Sequence, residues 1–159
     1  MISLISSCAS DRDFFFTLGR IFFDFIIYPY NSKFMKNIYL NIYKANLINL
    51  RKAKKNIINN KVIGIPTETV YGLAANAYSN KAVKKIYKLK KRPFFNPSII
   101  HFDNLSNLKK HVVLNDNFLK LYKVFCPGPI TFVLKKSKNS KISKIATGGK
   151  NTVAVRIPK

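Results

Sequence analysis

Apolar positions recur with two different spacings along the chain. From Asn37 to Tyr43, Ile38, Leu40 and Ile42 alternate with Tyr39, Asn41 and Tyr43, the two-residue period of a strand. From Leu47 to Asn60 the spacing changes: Leu47, Leu50, Ala53, Ile57 and Ile58 fall on one side of a helix with lysines opposite. Lys61 to Ile65 predicts a short strand. It runs into Pro66, the polar cluster Thr67-Glu68-Thr69, then Tyr71, Gly72 and small apolar residues, which reads as strand, structured loop and helix. Asn80 is placed to cap a helix that runs to about Leu89 and ends at Arg92-Pro93, since proline disfavours helix at the residue before it. Ser98 to Phe102 predicts a buried strand, Leu105 to Val113 a short helix, and Asp116 the cap of another carrying Phe118, Leu119, Leu121, Tyr122 and Phe125. Cys126-Pro127-Gly128-Pro129 is a rigid turn, and Ile130 to Lys135 is a strand. Lys136 to Lys150 reads as a polar loop and Thr152 to Ile157 as a final strand. The alternation of strands and helices predicts an α/β fold, and 159 residues predict one domain.

Charge alters this picture in one respect. The chain carries 29 basic and 6 acidic residues. Met1 to Phe34 holds three of each, so the whole excess of +23 lies from Met35 onward. Such a field attracts polyanions, nucleic acid or nucleotide phosphates among them. An abundance of lysine, asparagine, isoleucine, phenylalanine and tyrosine is equally what an AT-rich genome writes onto a solvated surface. Met1 to Phe34 is apolar and aromatic around Phe14-Phe15-Phe16 and Ile21 to Tyr30, but Arg20 and Asp24 interrupt it. It is too short and too charged for a membrane span, so no stable membrane partner is expected. It also lacks the pattern of a signal peptide. Residues 1–34 are expected to stand outside the domain, with translation starting at Met35. Cys8 and Cys126 have neither metal nor disulfide spacing, which fits a reducing, cytoplasmic setting.

Several residues invite chemistry. Pro66 stiffens the loop that carries Thr67, Glu68 and Thr69, and Gly72 permits a close backbone approach to a ligand. The loop is either a grip for a small polar ligand or a corner with surface threonines. Lys90, Arg92 and Asn96 stand at a helix end as a polyphosphate site or as a solvated basic terminus. His101 falls on a buried-looking strand, where a histidine is more often a core residue than a catalyst. Arg156 lies on an apolar strand and calls for a carboxylate or phosphate partner, with Thr152 on the same side. No Walker A loop, G-x-G-x-x-G run, cysteine–histidine metal cluster or nucleophile elbow is present, and no metal-ligand set is expected.

Four linked segments resemble the YrdC-like family of L-threonylcarbamoyl-AMP synthases: GIPTETVYGLAANA (Gly64 to Ala77), KIYKLKKRPFFNPSIIH (Lys85 to His101), PGPITFVLKKS (Pro127 to Ser137) and TVAVRIP (Thr152 to Pro158). The resemblance spans Met35 to Lys159. It implies a twisted mixed sheet with flanking helices and a concave basic face. It also implies a nucleotidyltransferase that makes L-threonylcarbamoyl-AMP from L-threonine, bicarbonate and ATP, with Mg²⁺ accompanying ATP. The product serves threonylcarbamoyladenosine modification of tRNA through downstream transferase proteins. Carried over by residue, Thr69, His101 and Arg156 would hold L-threonine, Lys90 and Arg92 would act in catalysis, and Arg92, Asn96 and Thr152 would bind the nucleotide. The family pattern continues to a Ser-x-Asn motif beyond Arg156-Ile157-Pro158, so the domain at 35–159 is expected to be incomplete at its C-terminus. A non-catalytic basic domain that binds double-stranded RNA or tRNA is the alternative reading.

Overall fold

A single mixed sheet organises the computed structural model, which describes residues 2–5, 24–27, 42–67 and 71–159. Its strands are β1 (Ile2–Ile5), β2 (Asp24–Ile27), β3 (Ile42–Lys44), β4 (Ile63–Ile65), β5 (Gly72–Asn76), β6 (Ile99–His101), β7 (Phe132–Lys135) and β8 (Thr152–Arg156), in the order β3-β2-β4-β5-β1-β6-β8-β7. The run β5-β1-β6-β8 is parallel, and the outer pairs are antiparallel. β1 and β2 lie within residues 1–34, the stretch expected to stand outside the domain, and both pair with strands of the sheet. Most of the strand expected at Asn37 to Tyr43 lies outside the described residues, which resume at Ile42.

Among the described residues, four helices flank the sheet: α1 (Leu47–Ile58), α2 (Asn80–Leu89), α3 (Leu105–Leu108) and α4 (Asp116–Phe125). Each starts on a side chain that accepts an otherwise unpaired backbone N–H. Asn46, Ser79, Asn104 and Asn115 do this for α1 to α4. Two expected caps are therefore displaced by one residue. Asn80 is already helical, and its Oδ1 accepts from Ser143 Oγ at 2.6 Å. Asp116 falls in the first turn of α4, where its charge suits the helix dipole.

The core has two halves, one on each face of the sheet. Leu50, Ala53 and Ile57 of α1 pack on Ile63, Ile65 and Ala74. On the opposite face, α2 and α4 pack Val83, Ile86, Tyr87 and Phe118 over Ala75, Ile100 and Val155. Phe118 meets Phe132 edge to face, with ring centroids 4.9 Å apart.

Two expectations need correction. Gly72 to Asn76 is a strand antiparallel to β4, not the start of a helix. Ala74 and Ala75 are fully buried on opposite faces. A strand covered on both sides here needs small side chains, and that packing overrides the helix preference of alanine. The helix at Leu105 stops after four residues, because Val112 pairs with Lys136 and Val113 N–H donates to the Lys135 carbonyl along the β7 edge. The polar loop from Lys136 to Lys150 is fastened inward: Ile142, Ser143, Ala146 and Thr147 are buried, and the Ala146 carbonyl accepts from Ser98 N–H at 2.9 Å. Among the described residues, no helix is long and apolar enough to cross a membrane.

Candidate active site

Strand alternation decides which side chains share the open face. Val153 and Val155 of β8 and Ile100 of β6 enter the core, so Thr152, Ala154, Arg156 and His101 belong to the other face. Register aligns them in rows. His101 is opposite Arg156, and Ile99 is opposite Ala154. On the other side of β8, Val133 pairs with Ala154 and Lys135 with Thr152.

The first row is polar. Arg156 is half-buried, and its Nε donates to Thr131 Oγ1 at 2.9 Å. His101 is buried, and its pKa is held down to about 3, first by burial and then by the positive charge of Arg156. At neutral pH the imidazole is therefore uncharged, and the guanidinium supplies the row's positive charge.

The second group stands at the other end of β6. The chain leaves α2 through Lys90 and enters a tight turn at Lys91, which has a left-handed φ of 49°. Arg92 then folds back on its own loop. Its Nη2 donates to Asn96 Oδ1 at 2.9 Å and to the Pro97 carbonyl at 2.7 Å, and its Nε donates to the Asn96 carbonyl at 3.3 Å. The Asn96 carbonyl also accepts from Tyr87 Oη at 2.7 Å, and Tyr87 Oη accepts from buried Ser98 Oγ at 2.9 Å. Phe94 stacks on the Tyr87 ring, with centroids 5.5 Å apart. Arg92 and Asn96 thus belong to one hydrogen-bonded loop.

The structure brings the expected residues together as two clusters, His101 with Arg156 and Arg92 with Asn96. Thr152 starts β8, two residues before the partner of Ile99, and so lies at the Asn96 end. At ~3.3 Å per residue, Thr152 and Arg156 are about 13 Å apart along the strand. Lys90 is exposed at the end of α2, beside the Arg92 loop. Thr69 lies outside the described residues. Its flanks, Thr67 and Tyr71, stand where β4 ends and β5 begins, which the register of β5, β1 and β6 places at the Asn96 end of the sheet.

Reading the residues alone missed Thr131, Tyr87 and Ser98. Thr131 follows the Pro-Gly-Pro turn just before β7, and only strand register reveals its partner. Tyr87 is a core residue, yet its hydroxyl reaches the site loop. Among the described residues, no group of three or more histidine, cysteine, aspartate or glutamate side chains is placed to hold a metal ion.

Residues 55–159 match the model of the Sua5/YciO/YrdC family, described as Telomere recombination. Threonylcarbamoyl-AMP synthase of Pyrococcus abyssi (strain GE5 / Orsay) is 46% identical over 112 residues, covering 69% of this chain and 32% of that protein. Threonylcarbamoyl-AMP synthase of Bacillus subtilis (strain 168) is 45% identical over 100 residues, covering 62% of this chain and 29% of that protein. The chain thus spans about a third of the length of these two relatives. The crystal structure of P. abyssi Sua5 complexed with L-threonine superposes with a TM-score of 0.64 at 44% identity, over 68% of this chain and 32% of that one.

Proposed function

The chain belongs to the Sua5/YciO/YrdC family, and from that premise we propose that it makes L-threonylcarbamoyl-AMP from L-threonine, bicarbonate and ATP, releasing pyrophosphate. The observation that carries this reading is the pairing of a cationic Arg156 with a neutral His101 at one end of an open sheet face, with the Arg92–Asn96 loop at the other.

Arg156 is the partner for the threonine carboxylate, through charge-assisted hydrogen bonds. His101, uncharged, adds a polar contact without repelling the threonine amine. Thr69 is the third expected member of the threonine set, but its flanks Thr67 and Tyr71 stand at the Asn96 end, so the row itself rests on Arg156 and His101. The amine attacks bicarbonate, forming the carbamate C–N bond and losing water. A carbamate oxygen then attacks the α-phosphorus of ATP, and the bond to pyrophosphate breaks. Carbamate and triphosphate are both anionic, so the site must screen their repulsion and stabilise charge on the leaving group.

Lys90 and Arg92 supply that charge, and Asn96 and Thr152 bind the nucleotide beside them. Mg²⁺ enters as part of the ATP substrate, bound through phosphate oxygens. The face of about 13 Å between Thr152 and Arg156 suits a substrate with its amino-acid end at one row and its phosphates at the other. The acyl group of the product then passes to tRNA through separate transferase proteins.

Pyrophosphate release from ATP tests the reading. Release that requires both L-threonine and bicarbonate, and that is lost in Arg156→Ala, is the expected result. Release independent of L-threonine, from protein shown to be folded by circular dichroism, would overturn it.

A further inference from the structure

Thr131 lies within the PGPITFVLKKS segment without a role assigned to it there, yet the fold holds it against Arg156 from two sides. Phe132 and Val155, the residue after Thr131 and the residue before Arg156, are register partners in the antiparallel β7–β8 pair. On the other side, Gly128 N–H donates to the Ile157 carbonyl at 2.9 Å, which ties the Pro-Gly-Pro turn to the residue after Arg156. Between these two constraints Thr131 Oγ1 accepts from Arg156 Nε at 2.9 Å. A β-branched side chain on an extended backbone has few χ1 options, so the acceptor is itself stiff.

We infer that Thr131 is a positioning residue for Arg156, setting the plane of its guanidinium. The inference rests on the reading of Arg156 as the anchor for the threonine carboxylate. A guanidinium takes a carboxylate in a fork either through Nε and one Nη, or through both Nη atoms. Thr131 occupies Nε, so a carboxylate using the first edge would have to displace the hydroxyl. Arginine also carries much rotamer entropy, and holding Nε in the unliganded protein removes part of that loss from the binding step.

Two measurements on the full chain test this. One is the ¹⁵Nε–H resonance of Arg156 without substrate, and the other is calorimetric affinity for L-threonine. Thr131→Val is expected to shift the Nε resonance and weaken L-threonine binding about tenfold, the usual scale for a hydrogen bond to a charged group. ATP affinity should stay within about twofold of wild type, because Thr131 lies in the row of Arg156 and not in that of Thr152. Thr131→Ser keeps the acceptor and should restore both properties, which a merely structural role of the threonine methyl would not. Where Thr131→Val does not fold, Thr131→Ala replaces it with the same expectations. An unshifted Nε resonance, or unchanged L-threonine affinity while Arg156→Ala has lost it, overturns the inference and leaves the reading of Arg156 standing. Retention of L-threonine binding in Arg156→Ala overturns both.

Discussion

Arg156 stands directly opposite His101 across the parallel pair β6–β8, and its charge is the second cause, after burial, that holds the His101 imidazole down to about 3. The two residues therefore hold one positive charge between them at neutral pH. Replacing Arg156 with glutamine removes the smaller of the two causes. The His101 pKa should rise in that variant yet remain below 6.5, because the burial persists. Following the His101 ring resonances against pH checks this. No change in pKa would mean that the guanidinium charge is not felt at the imidazole.

The same histidine makes stability depend on pH. Folded His101 is neutral down to about pH 3, whereas in the unfolded chain it takes up a proton below about 6.5. Between those limits the unfolded state binds more protons, so stability rises with pH. The contribution is fully present above about pH 6.5 and is lost as pH falls toward 3. His111 acts in the same direction: burial first, then the charges of Lys110 and Lys141, lower its pKa. Urea unfolding between pH 7 and 4 should show His101→Gln with a shallower acid limb than wild type, by up to about 1.4 kcal/mol per pH unit for one proton. Parallel limbs for wild type and variant would remove His101 as the cause.

The α/β class, the helices starting at Leu47 and near Asn80, and the strands near Ser98 and Thr152 were legible because apolar spacing reports which face is covered. The strand at Gly72 was not, since alanine-rich runs look helical until neighbours on both faces demand small side chains. Arg156 announced its need of an anionic partner by standing in an apolar strand. Thr131 and Tyr87 announced nothing, because their roles come from register and from one hydroxyl reaching a loop. Displaced caps at Ser79 and Asn115 show the one-residue uncertainty of helix ends where two capping residue types adjoin.

The Arg92–Asn96 loop makes a separable claim. Asn96 Oδ1 accepts from Arg92, so the amide's Nδ2 donors point away from that bond. In Asn96→Asp the acceptor for Arg92 survives, but the donors are lost and a negative charge appears where phosphate is expected. ATP affinity should fall by about tenfold or more, while the urea midpoint stays near wild type. Arg92→Lys should also weaken ATP binding, because an ammonium cannot hold Asn96 and the Pro97 carbonyl in the same fork. Unchanged ATP affinity in both variants would exclude this loop from the nucleotide site.

Tyr87 links that loop to the core. Its hydroxyl donates to the Asn96 carbonyl and accepts from buried Ser98 Oγ. Tyr87→Phe keeps the packing and the stack on Phe94 but takes the acceptor from buried Ser98 Oγ and leaves the Asn96 carbonyl with Arg92 Nε, which should cost about 1–3 kcal/mol. Chemical denaturation measures the cost. A neutral effect would mean that water replaces the hydroxyl, and that the loop does not depend on it for order.

Gly148 supports the same loop from the outside. Its φ is +61°, and a Cβ there would lie 2.6 Å from the Phe95 carbonyl oxygen. Gly149 has φ +76° with nothing within 4 Å of the corresponding position. Alanine at either site meets the left-handed backbone, but only at Gly148 does it also push on the loop that carries Asn96. Gly149→Ala should therefore cost about 1 kcal/mol, and Gly148→Ala should cost more, in the range of about 2–3 kcal/mol. Gly148→Ala should also weaken ATP binding, since Phe95 is bonded directly to Asn96 in the chain. Equal costs in urea unfolding, with ATP affinity unchanged in both, would mean that the loop yields to the added methyl without disturbing the Arg92–Asn96 fork. A larger cost at Gly148 together with weaker ATP binding would tie the Lys136 to Lys150 segment to the nucleotide end of the site.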